Sequence, residues 1–154
     1  MKQRIYIDTS VIGGCLDKEF SEWSLKLFKE FKSEKKIPVI SDITLDEISL
    51  ANENVQGIIN ELIDQNVEYV LSNPASEELA QAYLKEGAIT KKYSEDAYHI
   101  AIATISKVDV LVSWNFKHIV NLDRIRKYNA VNLKLGYSLI EIRSPREILY
   151  IESK

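Results

Sequence analysis

The fold is decided by the stretch Arg4-Ile5-Tyr6-Ile7-Asp8-Thr9-Ser10-Val11-Ile12, close to the start of the sequence. Residues 5–7 are β-branched or aromatic, and such residues favour a buried strand. Asp8 follows this strand directly, and ligand sites in an open parallel α/β sheet lie just past the carboxyl ends of strands. The acid is therefore a candidate for chemistry in a cleft. The alternative is that Asp8 or Ser10 only caps the next helix, because both residue types are favoured at helix starts.

The composition is typical of one globular domain. The sequence has 154 residues, with 45% apolar and 28% charged content, which suffices for a single core. A formal net charge of -3 argues against binding nucleic acid by overall positive charge, but allows a nuclease with an acidic metal pocket and a basic rim. The single Cys15 permits no internal disulfide and favours a reducing compartment. No signal peptide or membrane span is predicted, so we expect a cytoplasmic protein.

Strands and helices are predicted to alternate along the whole sequence. After the first strand, the Gly13-Gly14 pair is predicted to break the chain. Further strands are predicted at 37–40, 67–71, 108–113 and 138–142. Helices are predicted at 21–35, 41–50, 55–64, 77–86 and 94–106, with one or two short helices within 115–132 and a last turn around Ile148. This alternation specifies a parallel sheet with helices on both faces. The predicted fold is a single three-layer α/β/α domain over 1–154, with about five parallel strands.

Three more polar positions share the predicted topology of Asp8. Glu47 lies on the helix after the second strand, and Asp96 lies in the first turn of the helix that leads into the fourth strand. Asn115 follows Ser113 at the end of that fourth strand. The ends of strands one and four are neighbours in a doubly wound sheet. The acids are therefore expected to converge on one cleft, with Asp8 and Asn115 side by side.

Each of these positions also has a purely structural interpretation. Thr44, three residues before Glu47, fits a capping box, and Asp96 near a helix start gains from the helix dipole. Asn115 and His118 are also common in turns and caps. Carboxylates gathered at close range repel one another unless a cation or protons occupy the site, and hard oxygen ligands suit Mg²⁺ or Mn²⁺. The sequence has no zinc-type His/Cys spacing, no glycine-rich nucleotide motif and no nucleophile elbow.

The order of these motifs resembles the PIN-domain family over nearly the whole sequence. The matching segments are strand-Asp8-Thr9-Ser10, the helix with Glu47, Asp96-Ala97-Tyr98-His99-Ile100-Ala101-Ile102-Ala103, and strand-Ser113-Trp114-Asn115. Size and layout resemble the VapC-type toxin nucleases, and residues 111–119 are similar to a variant segment of one bacterial subgroup. The resemblance implies a Mg²⁺- or Mn²⁺-dependent endoribonuclease that cleaves RNA. It also implies a homodimer and, for a toxin, an antitoxin partner.

The resemblance also assigns roles to individual residues. Asp8, Glu47 and Asp96 match the metal-binding acids of the family. Asn115 stands where many members have a fourth acid, so it would orient water or substrate through a neutral amide and would not strengthen a second metal site. We also expect Ser10, Ser113, Lys117 and His118 to bind the substrate.

Two other functions remain open on sequence alone. The missing fourth acid favours a PIN-like binding or scaffold module with weak or absent catalysis. An enzyme that forms an aspartyl-phosphate on Asp8 is disfavoured, because dehalogenase-like phosphatases carry a second Asp where this sequence has Ser10.

Overall fold

The computed structural model describes residues 2–63 and 66–152 and contains one parallel sheet in the order β3-β2-β1-β4-β5. Its strands are β1 (Gln3–Ile7), β2 (Lys36–Ser41), β3 (Glu68–Val70), β4 (Val110–Val112) and β5 (Ile142–Arg143). In the register, Ile5 of β1 lies opposite Pro38 on one side and Val110 on the other. From β1 the chain adds β2 and β3 on one side of the sheet and then β4 and β5 on the other side. The carboxyl ends of β1 and β4 are therefore adjacent at the point where the strand order switches direction. This confirms the predicted five-stranded parallel sheet.

The same described residues form eight α-helices and one 3₁₀ turn. They are α1 (Thr9–Gly14), α2 (Ser21–Lys32), α3 (Asp42–Ser49), α4 (Glu53–Ile63), α5 (Pro74–Lys85), the turn Lys91–Tyr93, α6 (Ser94–Ile105), α7 (Leu122–Lys134) and α8 (Pro145–Glu152). The helix predicted at 55–64 corresponds to α4, and its predicted last residue, Asp64, lies outside the described residues. Gly87, at φ 78°, ends α5 as predicted.

Two hydrophobic cores cover the two faces of the sheet. Tyr6, Val39 and Leu111 pack with α5, α6 and α7. Ile5 and Ile7 pack on the other face, mainly with α1, α2 and α4. Neighbouring residues of β1 enter different cores because side chains of a strand alternate between the faces. The result is the predicted three-layer α/β/α arrangement.

The Gly13-Gly14 pair forms the end of α1, and the turn that separates α1 from α2 begins directly after it. Gly14 is needed for a close approach between helices and not for a turn. A Cβ at Gly14 would lie 2.6 Å from Ser24 Oγ and 2.7 Å from Trp114 Nε1, whereas one at Gly13 would meet nothing within 4 Å. The chain thus breaks directly after the pair, and the second glycine also serves packing.

Two predicted elements near the end of the sequence differ from the structure. The strand predicted at 138–142 is only Ile142–Arg143, because both backbone groups of Ile140 bond to the Asn129 side chain and not to a strand. The helix predicted within 115–132 begins after its cap Asn121 and continues to Lys134. Gly136, at φ 84°, follows this helix. Hydrogen bonds made by the side chains of Asn121 and Asn129, and not the hydrophobic pattern, set these bounds.

Candidate active site

Asp8 lies between the end of β1 and the first residue of α1, and its carboxylate is almost completely enclosed. Its Oδ1 accepts hydrogen bonds from Ser10 Oγ at 2.6 Å and from the Val11 backbone N–H at 3.2 Å. Its Oδ2 accepts a hydrogen bond of 2.6 Å from Ser113 Oγ, at the end of β4. Asp8 therefore caps α1, which confirms the capping interpretation, and it also lies at the switch point, where a role in chemistry stays a prediction.

Burial shifts the ionisation of Asp8. Only 4% of the residue is exposed, and this burial raises the pKa of its carboxyl group. The charge of His99 and the hydrogen bonds from Ser10, Ser113 and the Val11 N–H act in the opposite direction without cancelling the effect of burial. An acid that is this enclosed gains strongly from any additional positive charge placed beside it.

Glu47 is held by a buried histidine. Its Oε1 shares a hydrogen bond of 2.6 Å with Nε2 of His99, and the Nδ1 of His99 lies 2.6 Å from the Tyr6 hydroxyl. The Tyr6 hydroxyl lies in turn 2.7 Å from Ser41 Oγ. Burial opposes the charge on His99, but contact with Tyr6, the hydrogen bond and charge of Glu47 and the charge of Asp8 raise its pKa well above the ordinary value.

The capping-box interpretation of Glu47 is wrong. The cap of α3 is Ser41, whose Oγ accepts the backbone N–H of Thr44 at 3.4 Å, so Thr44 lies inside the helix. Glu47 is therefore free to face His99. Burial disfavours the ionised form of Glu47, but the hydrogen bond and charge of His99, with help from the Thr9 hydroxyl, lower its pKa below the ordinary value.

Asp96 completes a set of three carboxylates that influence one another. It lies in the first turn of α6, and its pKa is raised to about 6. Burial is the largest cause, His99 opposes it, and the negative charges of Asp8 and Glu47 raise the pKa further. Since charges act in this way only at short range, the three acids lie near one another although they are distant in sequence.

Asn115 connects Asp96 to the end of β4. Its Nδ2 donates a hydrogen bond of 3.2 Å to Asp96 Oδ2, and its backbone N–H donates to Ser113 Oγ at 2.9 Å. Its Oδ1 accepts the backbone N–H groups of Lys117 and His118 at 3.2 and 3.0 Å. The amide is thus engaged at both ends, and its carbonyl oxygen organises the turn after β4.

The predicted substrate-binding residues divide into two groups. Ser10 and Ser113 hold the carboxylate of Asp8, and Ser10 Oγ also accepts the Trp114 N–H at 2.9 Å. Lys117 is exposed, while the buried ring of His118 stacks on Tyr93 with centroids 3.7 Å apart. The first group belongs to the carboxylate cluster, and the second lies just beyond Asn115.

A basic rim surrounds the stacked rings of Tyr93 and His118. Burial lowers the pKa of His118, and the nearby positive charges of Lys117 and Arg124 lower it further. The Lys92 ammonium lies 5.6 Å from the centre of the Tyr93 ring. We call Lys92, Lys117 and Arg124 the basic rim. It places positive charge next to an acidic cleft in a protein whose net charge is negative.

The chemistry of the three carboxylates fits a hard divalent cation. Asp8, Glu47 and Asp96 offer oxygen ligands whose mutual repulsion a cation would relieve. The Oγ1 of Thr9, next to Asp8, is buried without a hydrogen bond of normal geometry. Across residues 2–63 and 66–152, however, no group of three or more His, Cys, Asp or Glu side chains is arranged to hold an ion as it stands. Binding therefore requires the carboxylates to exchange some of their present hydrogen bonds for the ion.

Sequence reasoning assigned no role to Tyr6, Ser41 or the ring of His99. The spacing contained a signal for two of them. Tyr6 precedes Asp8 by two residues, the spacing that returns to the same face of a strand. His99 follows Asp96 by three, the spacing of neighbours on one face of a helix.

Solved structures of similar fold are toxins and toxin–antitoxin complexes. VapC20 of Mycobacterium tuberculosis, a sarcin–ricin loop cleaving toxin, matches with a TM-score of 0.59 at 15% identity, over 74% of this chain and 92% of that one. VapBC2 of Rickettsia felis, bound to a DNA fragment from its promoter, matches with a TM-score of 0.57 at 15% identity, over 92% and 98%. FitAcB of Neisseria gonorrhoeae matches with a TM-score of 0.54 at 17% identity, over 92% and 97%.

The fold is PIN-like. At these identities the likeness concerns the fold alone, and neither a protein-family model nor a curated protein matches the sequence. In the sheet, the end of β1, which precedes Asp8, lies between the ends of β2 and β4. Within the described part of the molecule, no helix has the length and apolar character needed to cross a membrane.

Proposed function

We propose that this protein is a Mg²⁺- or Mn²⁺-dependent endoribonuclease that hydrolyses RNA phosphodiester bonds, and that it is the toxin of a toxin–antitoxin pair. One observation carries the proposal: hydrogen bonds through Ser113 and Asn115 link Asp8 to Asp96, and Glu47 lies close enough for its charge to act on Asp96. The PIN-like fold shared with a sarcin–ricin loop cleaving toxin supports the same function.

In this proposal Asp8, Glu47 and Asp96 hold the cation. When bound, Mg²⁺ supplies positive charge against the phosphate oxygens and makes water a better nucleophile at neutral pH. The residues of this chain prepare the site for that chemistry. Ser10 and Ser113 fix the orientation of Asp8, and both donate hydrogen bonds that favour its ionised form.

Substrate binding is assigned to residues on the β4 side of the cleft. Asn115 holds Asp96 with its amide N–H and keeps the turn of residues 115–118 in place with its carbonyl. This turn presents Lys117 beside His118, so positive charge is available for the RNA backbone on either side of the cleaved bond. Ser10 and Ser113 are also close enough to the carboxylates to donate to a phosphate oxygen when Asp8 binds the cation.

The nuclease proposal is tested by cleavage of RNA with the purified full-length protein and Mg²⁺. Asp8→Asn and Asp96→Asn each remove one ligand charge, so we expect activity to fall on the order of 100-fold or more. The matched control is Asp46→Asn, which removes the same charge from an exposed position next to Glu47 and leaves activity unchanged. Residual activity equal to that of the wild type in Asp8→Asn and Asp96→Asn contradicts the assignment.

A second function, a PIN-like binding or scaffold module, is favoured by two observations. Asn115 replaces a carboxylate, and the three acids bond to serine, histidine and asparagine neighbours in place of an arranged ligand set. Calorimetric titration with Mn²⁺ separates the two functions. Binding that Asp8→Asn abolishes supports the enzyme, whereas no binding at millimolar Mn²⁺ supports the scaffold.

A cognate antitoxin and a homodimer are part of the same proposal. The VapBC2 and FitAcB complexes of similar fold support a protein partner. We expect the purified protein to run as a dimer in light scattering after size exclusion. We also expect it to form a stable complex with a small protein encoded beside it, and this complex is expected to suppress cleavage of RNA.

A further inference from the structure

We propose that Ser41, Tyr6 and His99 form a positioning network that holds the carboxylate of Glu47 in place to bind the divalent cation. This inference rests on the proposed function, because it assigns a task to residues that do not themselves touch the ion or the RNA. Tyr6, Ser41 and His99 are therefore positioning residues and not catalytic ones.

The network is a continuous series of short contacts. Ser41 Oγ lies 2.7 Å from the Tyr6 hydroxyl, which lies 2.6 Å from His99 Nδ1. On the other side of the ring, His99 Nε2 lies 2.6 Å from Glu47 Oε1. Tyr6 and Ser41 are completely buried and His99 is 2% exposed, so water does not compete for these hydrogen bonds. Both ring nitrogens are engaged, which fixes the orientation of the imidazole.

The network connects the three elements that carry the acids. Tyr6 belongs to β1, two residues before Asp8. His99 belongs to α6, three residues after Asp96. Ser41 is the last residue of β2 and caps α3, the helix that carries Glu47. A displacement of any one element therefore disturbs the hydrogen bond that reaches Glu47.

Glu47 is the acid that needs such support. Its side chain is 26% exposed, whereas Asp8 is enclosed by Ser10, Ser113 and the start of α1. A glutamate side chain has several accessible rotamers, and ordering it has an entropic cost. His99 holds Oε1, so Oε2 would be the oxygen available to a cation. Hydrogen bonds of this kind orient metal-binding side chains, and their loss typically weakens metal affinity about 10- to 100-fold.

The first experiment compares two tyrosines by calorimetric titration of the full-length protein with Mn²⁺. Tyr6→Phe removes the hydroxyl that holds His99, and we expect Mn²⁺ affinity to fall about 10-fold. The matched control is Tyr83→Phe. Tyr83 is completely buried in the same core, and its hydroxyl donates to Asn132 Oδ1 at 2.5 Å, away from the acids. We expect Tyr83→Phe to lower the melting temperature as Tyr6→Phe does, but to keep the wild-type Mn²⁺ affinity.

The second experiment separates positioning from packing at His99. Gln at this position retains an N–H that can reach toward Glu47, whereas Leu fills the buried space without any donor. We expect His99→Gln to retain more Mn²⁺ affinity than His99→Leu, although Leu suits an apolar core better. With RNA as substrate, we expect both variants to lower kcat while KM stays close to the wild-type value, because neither substitution changes the basic rim.

The outcomes distinguish this inference from the nuclease proposal. If Asp8→Asn abolishes Mn²⁺ binding but Tyr6→Phe binds Mn²⁺ as tightly as Tyr83→Phe, the positioning network is overturned and the nuclease proposal stands. The inference is also overturned if His99→Leu retains as much Mn²⁺ affinity as His99→Gln. If the wild-type protein binds no Mn²⁺, or Asp8→Asn binds it equally well, the nuclease proposal fails and the network has no ion to serve.

Discussion

Two of the three carboxylates, those of Asp8 and Asp96, lower the stability of the metal-free fold at neutral pH. Asp8 and Asp96 both have raised pKa values, mainly because burial disfavours their charged forms. Each therefore lowers the stability of the folded state at neutral pH, and an uncharged isostere relieves this penalty. A cost of this kind is expected where residues are retained for function.

This cost predicts a pH dependence for Asp96→Asn in the presence of a chelator. In the folded protein the pKa of Asp96 is about 6, against an ordinary value of 3.8. As the pH rises through the lower value, the unfolded chain releases its proton first, so the folded state loses stability until the pH reaches the higher value. We expect Asp96→Asn to be more thermostable than the wild type above about pH 6, by a few degrees, and the difference to vanish near pH 4. Thermal unfolding by circular dichroism measures this.

Asp42→Asn is a control with the opposite sign. Burial opposes the ionisation of Asp42, but hydrogen bonds from the Ser72 hydroxyl and backbone N–H outweigh it and lower the pKa of the carboxyl group. This stabilisation is present above the ordinary value of 3.8 and is lost as the pH falls below it. Asp42→Asn is therefore expected to be less stable than the wild type at neutral pH. A pH-independent difference for Asp96→Asn contradicts the assigned burial of its charge.

At the scale of elements, the position of α1 depends on Gly14 having no side chain. Gly14 allows Ser24 and Trp114 to approach, and Trp114 Nε1 donates a hydrogen bond of 2.8 Å to Ser24 Oγ. Ser24 Oγ donates in turn to the Val11 carbonyl at 2.9 Å. Because Trp114 lies between Ser113 and Asn115, this contact also fixes the end of β4 against α1.

We expect Gly14→Ala to lower the free energy of unfolding by about 1–3 kcal/mol, because the added methyl group overpacks this contact. Gly13→Ala is the matched control. It adds the same group one residue earlier, where nothing lies within 4 Å, so it is expected to be neutral or to stabilise the helix by up to about 1 kcal/mol. Urea denaturation of both variants checks the prediction, and equal destabilisation contradicts it.

The sequence predicted the elements well because apolar periodicity differs between strands and helices. It also predicted that the ends of the first and fourth strands are neighbours, because this follows from the topology of a doubly wound sheet, and the pairing of Ile7 with Val112 confirms it. Contacts between side chains of different elements could not be predicted from the sequence. The hydrogen bond between Tyr6 and His99 joins residues 93 positions apart, and the need for Gly14 arises only when α2 and Trp114 pack on α1.

At the scale of the whole molecule, charge is distributed unevenly. The net charge is -3, yet Lys92, Lys117 and Arg124 gather around Tyr93 and His118 beside the cleft. An RNA drawn to this side of the molecule meets local positive charge despite the overall negative field. Affinity for RNA is therefore expected to depend on a few residues and to weaken with added salt.

We expect Lys117→Gln to reduce kcat/KM for RNA cleavage about threefold to tenfold, and to reduce the slope of log affinity against log salt by about 1, as expected for one lost phosphate contact. Lys127→Gln removes the same charge from α7, where Lys127 pairs with Asp123 at 3.2 Å, and is expected to leave both quantities unchanged. Cleavage and binding assays over a range of salt concentrations measure the effect. The same salt dependence in both variants argues against the basic rim.

The hydrogen bonds of the serines around Asp8 bear on whether the protein can fold before it binds an ion. Ser10, Ser113 and the Val11 N–H all donate hydrogen bonds to this carboxylate, so we expect the chain to fold without an ion. Small zinc domains behave in the opposite way and stay unfolded until they are loaded. We therefore expect far-ultraviolet circular dichroism in EDTA to match that in Mg²⁺. In the proposed nuclease, the ion would then be needed for cleavage of RNA and not for folding.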